Sequence, residues 1–95
     1  MAALEYEAHA SLAEATLREL ADRARERFDV RVVAIHHRTG RLAVGEVALV
    51  AAVSAPHRGP AREACAWLVE SLKAEAPIWK KEIGPDGSFW VGSEA

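Results

Sequence analysis

Cysteine, methionine and tyrosine occur once each in these 95 residues. A lone Cys65 cannot close an internal disulfide, so nothing points to an oxidising compartment or a cystine-stapled fold. No charge sign dominates either: 12 basic residues face 14 acidic ones, for a net charge of −2. A nucleic-acid binder would show a marked basic surplus. The longest apolar run, Val47 to Val53, falls far short of the ~20 residues needed to span a bilayer. The start, Met-Ala-Ala-Leu-Glu-Tyr-Glu, has neither the basic residues nor the apolar stretch of a signal peptide. Solenoid repeats, low-complexity tracts and interdomain linkers are missing, as are a Walker loop, a dinucleotide fingerprint and a Gly-x-Ser-x-Gly elbow. These exclusions leave a cytoplasmic protein, one domain over residues 1–95, that binds neither nucleic acid nor membrane.

Apolar residues make up 51% of the chain, enough to build a core. A chain this short still buries a modest share of its surface, and association with a partner is a common remedy. The residue pattern predicts the order of elements. Leu4 to Glu7 alternates apolar and charged residues, as a strand does. Ser11-Leu12-Ala13-Glu14 reads as a capping box, followed by a helix carrying Leu12, Leu17, Leu20, Ala24 and Phe28 on one stripe and ending at Asp29. Val30 to His37 is a β-branched strand. Turns at Thr39-Gly40 and Val44-Gly45-Glu46 precede Glu46 to Ser54, an apolar strand expected to be covered on both faces or to lie at an interface. Gly59-Pro60 opens a second helix, with proline at its first position and Ala61, Cys65, Leu68 and Leu72 on its buried stripe. Pro77 ends that helix. Ile78 to Ile83 returns as a strand, and Phe89-Trp90-Val91 pairs back across the turn Gly84-Pro85-Asp86-Gly87. Two helices packed on one side of a largely antiparallel sheet make an α+β domain.

Chemistry concentrates between Ser54 and Glu82. His57 and Arg58 fall at a helix start, where free N–H groups and the helix dipole favour an anion and Arg58 adds a forked donor. By residue type alone, the pair reads first as decoration of a turn, because helix ends bind anions permissively. Lys73 lies in the last turn of the second helix, and Lys80 follows beyond Pro77. On a strand, Lys80 and Glu82 share one face while Trp79, Lys81 and Ile83 share the other. A chain reversal near Pro77 lets Lys73 and Lys80 converge on one pocket, where like-charge repulsion makes a neutral amine more accessible. The plainer reading is a solvated basic rim. His36-His37 has no Cys or carboxylate at metal-ligand spacing, so no metal site is expected. Cys65 reads as a small core residue, and the three tryptophans as packing residues.

Four stretches resemble, in order and spacing, the large subunit of molybdopterin synthase. They are Leu-Glu-Tyr-Glu-Ala (4–8), His-His-Arg-Thr-Gly-Arg-Leu-Ala-Val-Gly-Glu (36–46), Val-Ser-Ala-Pro-His-Arg (53–58) and Leu-Lys-Ala-Glu-Ala-Pro-Ile-Trp-Lys-Lys-Glu (72–82), with Asp86-Gly87 and Trp90-Val91 fitting as well. The resemblance implies a hammerhead-type α+β fold without the strands that such subunits carry ahead of Leu-Glu-Tyr-Glu. It also implies a sulfurtransferase of molybdenum cofactor biosynthesis that needs no cofactor of its own. Sulfur would pass from the C-terminal Gly-Gly thiocarboxylate of a small ubiquitin-like subunit to cyclic pyranopterin monophosphate, forming the molybdopterin dithiolene. A homodimer of large subunits within a heterotetramer is the implied assembly. By the same resemblance Lys73 and Lys80 are catalytic, His57 and Arg58 bind substrate, and Glu82 and Lys81 support them. Two alternatives stand beside this: a shortened relative that only docks the sulfur carrier, and a small dimeric anion-binding α+β domain.

Overall fold

A computed structural model describes residues 3–91. Helical spacing of leucine and alanine sets α1 (Ala10–Arg27), which turns Leu20 and Ala24 fully inward. Its cap is His9, whose Nδ1 accepts the Leu12 N–H at 3.3 Å and whose own N–H donates to the Pro77 carbonyl at 3.2 Å. The expected Ser11–Glu14 capping box therefore does not form. Ser11 already lies inside the first turn, and Glu14 instead accepts from Arg18 at 2.8 Å, one turn along the exposed face. Leu12 falls off the buried stripe, and Phe28 closes the helix by donating its N–H to the Ala24 carbonyl at 2.9 Å.

The strands form two sheets where one was expected. In the larger sheet, β1 (Ala3–Ala8) lies between β3 (Gly40–Ala43) and β5 (Ile78–Gly84), and β6 (Gly87–Val91) pairs with the far side of β5. The smaller sheet is an antiparallel pair, β2 (Val32–His37) with β4 (Leu49–Ser54). β3 is a strand where only turns were expected. Its four residues have little strand character of their own and are held by register with β1, Leu42 opposite Leu4. The chain returns from β3 through a tight turn in which Glu46 N–H donates to the Ala43 carbonyl at 3.1 Å. Gly45 occupies the third position with φ +95°, the left-handed conformation a type II turn requires there.

β4 also departs from expectation. Its burial alternates, with Leu49, Ala51 and Val53 half-buried and Val50, Ala52 and Ser54 exposed. An unbroken apolar sequence here lies on an edge strand with one open face.

α2 (Arg58–Glu75) starts one residue before Gly59, so Pro60 is its third residue; a missing N–H is harmless there too. Ala64, Leu68 and Leu72 are buried on its inner face, while Cys65 and Ala61 are half-buried beside them. Leu68 and Leu72 join Tyr6, Leu20, Ala24, Leu42 and Ile78 in one core cluster between the helices and the larger sheet. The helices are also tied at their surface. Arg23 donates to Glu75 at 2.8 Å, and the Arg23 and Arg27 guanidinium groups lie 5.3 and 5.8 Å from the centre of the Trp67 ring. No helix among the described residues is long and apolar enough to cross a membrane.

Candidate functional site

Period-two alternation on β5 decides where its charges point. Ile78 is buried in the core, so Lys80 and Glu82, two and four residues on, share its face. Tyr6 of β1, itself buried, sits directly opposite Lys80 in the register, and burial pushes its phenol above the ordinary range. Lys80 is half-buried beside it. Trp79 and Lys81 take the opposite face, where the Lys81 Nζ lies 4.7 Å from the centre of the Trp90 ring and Glu5 is its cross-strand neighbour. Lys81 and Lys80 thus face away from each other.

Lys73 is exposed in the last turn of α2. The chain reverses directly after it: Ala76 N–H donates to the Leu72 carbonyl at 2.9 Å and Ile78 N–H to the Ala76 carbonyl at 2.8 Å. Lys73 and Lys80 therefore flank a single reversal, at the C-terminal end of α2. His57 and Arg58 sit at the other end. His57 is the N-cap, with an extended backbone and no capping hydrogen bond from its side chain, and both residues are exposed. The first turn holds no acidic residue, so no carboxylate within it neutralises the positive end of the helix dipole.

The helix between these two groups measures their separation. From Arg58 to Lys73 the axis rises about 22 Å at ~1.5 Å per residue, more than two extended side chains bridge. Among the described residues, Lys73, Lys80, His57 and Arg58 form no ion pair and no side-chain hydrogen bond. Their donors are uncommitted. Two clusters of free donors at opposite ends of one helix is an arrangement for gripping anions.

Residue patterns did not reveal two neighbours of these groups. Tyr6 beside Lys80 and Glu5 beside Lys81 follow only from the β1–β5 register, and the sole sequence signal for them is the alternation of Leu4, Tyr6 and Ala8. His37 is a third. Its ring meets Tyr6 edge-on at 4.7 Å and its Nδ1 donates to the Arg38 carbonyl at 2.6 Å, linking the two sheets.

Two helices on antiparallel sheets, with Lys73 and Lys80 flanking the reversal after α2 and His57 and Arg58 at its start, make an α+β domain. The profile of the family described as MoaE protein matches residues 1–75. A molybdopterin synthase catalytic subunit of Halalkalibacterium halodurans is 46% identical over 91 residues, 96% of this chain and 58% of that protein. The human molybdopterin synthase catalytic subunit is 40% identical over 91 residues, 96% of this chain and 48% of its own length. The crystal structure of molybdopterin synthase from Staphylococcus aureus superposes with TM-score 0.92 at 41% identity, covering 96% of this chain and 66% of that one. The chain belongs to the MoaE family. It spans roughly half to three-fifths of the length of these curated relatives.

Proposed function

We propose that this chain acts as the catalytic large subunit of a molybdopterin synthase, in the cytoplasm. It would transfer sulfur from the thiocarboxylated tail of a small ubiquitin-like subunit to cyclic pyranopterin monophosphate. The observation that carries this reading is 46% identity to such a catalytic subunit along 96% of the chain. A 91-residue match in a chain of 95 spans the positions of Lys73, Lys80, His57 and Arg58.

Both reactants are anions. Bringing a thiocarboxylate against a phosphate-bearing pterin requires positive charge fixed beforehand, so that no reorganisation is needed as the carbon–sulfur bond forms. Lys73, exposed at the helix end, anchors and activates the carrier's tail. Lys80, half-buried beside Tyr6, serves the sulfurated intermediate, with Glu82 supporting it from the same face. Lys81 adds only to the local positive field, from the other side of the strand. His57 and Arg58 hold the substrate phosphate or pterin with forked and single donors.

The length of α2 shapes the assembly. A substrate gripped by both groups cannot lie on one copy of the chain, because about four helical turns separate them. It lies between two copies, the start of one α2 facing the end of the other. A two-fold dimer makes two such sites, which supports a homodimer of large subunits with a sulfur carrier at each end.

Reconstitution tests the reading. The protein is mixed with a thiocarboxylated sulfur-carrier subunit and cyclic pyranopterin monophosphate, and dithiolene product is measured. Product is expected, with Lys73→Ala and Lys80→Ala each lowering its rate by about 100-fold or more, the usual loss when a charge-stabilising donor is removed. A second reading, a docking module that does not complete the reaction, is favoured by the chain spanning only 58% of the Halalkalibacterium protein. Carrier binding without product would establish it. Absence of carrier binding would leave a small anion-binding domain.

A further inference from the structure

A lysine amine rides on a flexible four-carbon stem, and a reacting group misplaced by about 1 Å can lose roughly 100-fold in rate. Something must therefore hold Lys80 in place if it is to act on a bound intermediate. Polar contacts do not: among the described residues Lys80 makes no ion pair and no side-chain hydrogen bond. Nor does its amine stack on a ring, in contrast to the Lys81 Nζ, 4.7 Å from the centre of the Trp90 ring. Packing of the stem is what remains.

The register supplies the walls. Gly40 of β3, Tyr6 of β1, Lys80 of β5 and Val91 of β6 form one row across the larger sheet. Directly paired residues of antiparallel strands carry side chains on one face, with Cβ atoms about 5 Å apart. The Lys80 stem thus stands between the Tyr6 ring and Val91, with buried Ile78 two residues before it on the same face. Tyr6 is the firmest of these walls, 7% exposed and part of the core cluster. Its neighbour on the other side of the row, Gly40, has no side chain to press on the ring. His37 of β2 does so instead, meeting it edge-on at 4.7 Å, and is itself fixed by the 2.6 Å bond to the Arg38 carbonyl. The Tyr6 hydroxyl forms no hydrogen bond among the described residues, so the ring is what this residue offers.

We propose that Tyr6 is a positioning residue for Lys80: its ring, braced by His37, holds the lysine stem so that the amine stays in one place beside the reversal that follows α2. The purpose given to this hold rests on the sulfur-transfer reading above. Lysine commonly buries its stem along apolar surface while its charged head stays in water, and half-buried Lys80 fits that pattern. Lys73 differs, being exposed in the last turn of α2. The two amines are thereby suited to different tasks. Lys73 can follow an anionic tail as it enters, whereas Lys80 is set beforehand, which spares reorganisation during the reaction.

The chain has three lysines, Lys73, Lys80 and Lys81, so isotope-labelled lysine gives three assignable side-chain signals whose relaxation reads their order. In the wild-type protein Lys80 is expected to be clearly more ordered than Lys73. Tyr6→Leu should bring Lys80 to the level of Lys73 and leave Lys81, on the opposite face, unchanged. Tyr6→Phe, which keeps the ring, should rescue the order of Lys80. In the reconstituted reaction Tyr6→Leu should lower kcat by about 10-fold or more. KM for carrier and pterin should stay within about 2-fold, because the groups that bind them are untouched, and Tyr6→Phe should rescue kcat as well. His37→Ala, which frees the ring without removing it, should loosen Lys80 and lower kcat in the same direction, and add nothing in a Tyr6→Leu background. Should Tyr6→Leu fail to fold by circular dichroism, this variant and the wild-type comparison decide. The proposal is overturned if wild-type Lys80 is as mobile as Lys73, or if Tyr6→Leu folds and leaves the order of Lys80 or kcat unchanged. A loss confined to KM, or a Tyr6→Phe protein that behaves like Tyr6→Leu, overturns it too. Wild-type protein that makes no product would sink the sulfur-transfer reading instead, and the relaxation data would still decide whether Tyr6 orders Lys80.

Discussion

His9 does a job for which histidine is poorly suited. Its ring nitrogen accepts the Leu12 N–H at 3.3 Å, a long contact, at a position where aspartate, asparagine or serine normally caps. A carboxylate would bond the free N–H groups more closely and would also face the positive end of the α1 dipole. His9→Asp is therefore expected to stabilise the protein by about 1 kcal/mol, a rise in Tm of roughly 5 °C for a chain of this size. Thermal unfolding followed by circular dichroism at neutral pH would check it; an unchanged or lower Tm would mean that the ring contributes packing that the cap geometry does not show. The Arg23–Trp67–Arg27 stack illustrates the same scale differently. Two guanidinium groups cover one half-buried ring, so Trp67 sits at the helix–helix seam without needing a place in the core.

At the scale of elements, the turn between β3 and β4 carries a pH-dependent device. The Glu46 carboxylate accepts the Ala43 N–H at 2.8 Å, with Arg38 at 3.4 Å. These contacts, the backbone donor foremost, hold its pKa below the ordinary 4.5. A group depressed in the folded state contributes stability that is fully present above the unfolded value and is lost as pH falls through the folded one. Glu46→Gln keeps an acceptor for Ala43 but removes the charge. The stability gap between the two proteins should be constant above about pH 5 and close progressively as the pH falls below it. Urea titrations at several pH values measure this, and a gap that widens in acid would refute the assignment. The same turn marks where the sequence was hardest to read. The helices were legible because Leu20, Ala24, Leu68 and Leu72 repeat at helical intervals, and β5 because Pro77 ends the helix before it and the turn residues Gly84 to Gly87 bound it. β3 was not, since Gly40-Arg41-Leu42-Ala43 is a strand only by virtue of β1 lying beside it. The split into two sheets was hidden for the same reason, as pairing between distant segments leaves no local pattern. β4 misled in the other direction: Val50 and Ala52 are apolar yet exposed, so composition overstated its burial.

At the scale of the whole molecule, the candidate site was half legible. Lys73, Lys80, His57 and Arg58 could each be picked out, and the resemblance gathered them into one pocket. The length of the second helix, also visible in the sequence, already set the two pairs apart by about four turns. That separation gives the proposed dimer a sharp consequence. In a two-fold dimer each site would take its lysines from one copy and its His-Arg pair from the other. Lys73→Ala and Arg58→Ala proteins should each be inactive alone. When they are unfolded, mixed in equal amounts and refolded together, half of the dimers are mixed. In a mixed dimer both substitutions fall in one site and the other site is intact. The mixture should then recover about one quarter of wild-type product formation, as random pairing of a symmetric dimer requires. If all four residues instead served one site within a single copy, each chain would carry its own lesion and mixing would restore nothing. A Lys73→Ala and Lys80→Ala mixture is the internal control: if each site draws both lysines from one copy, across the reversal at Ala76–Ile78, mixing should restore nothing, and recovery of the same quarter would mean that they come from different copies.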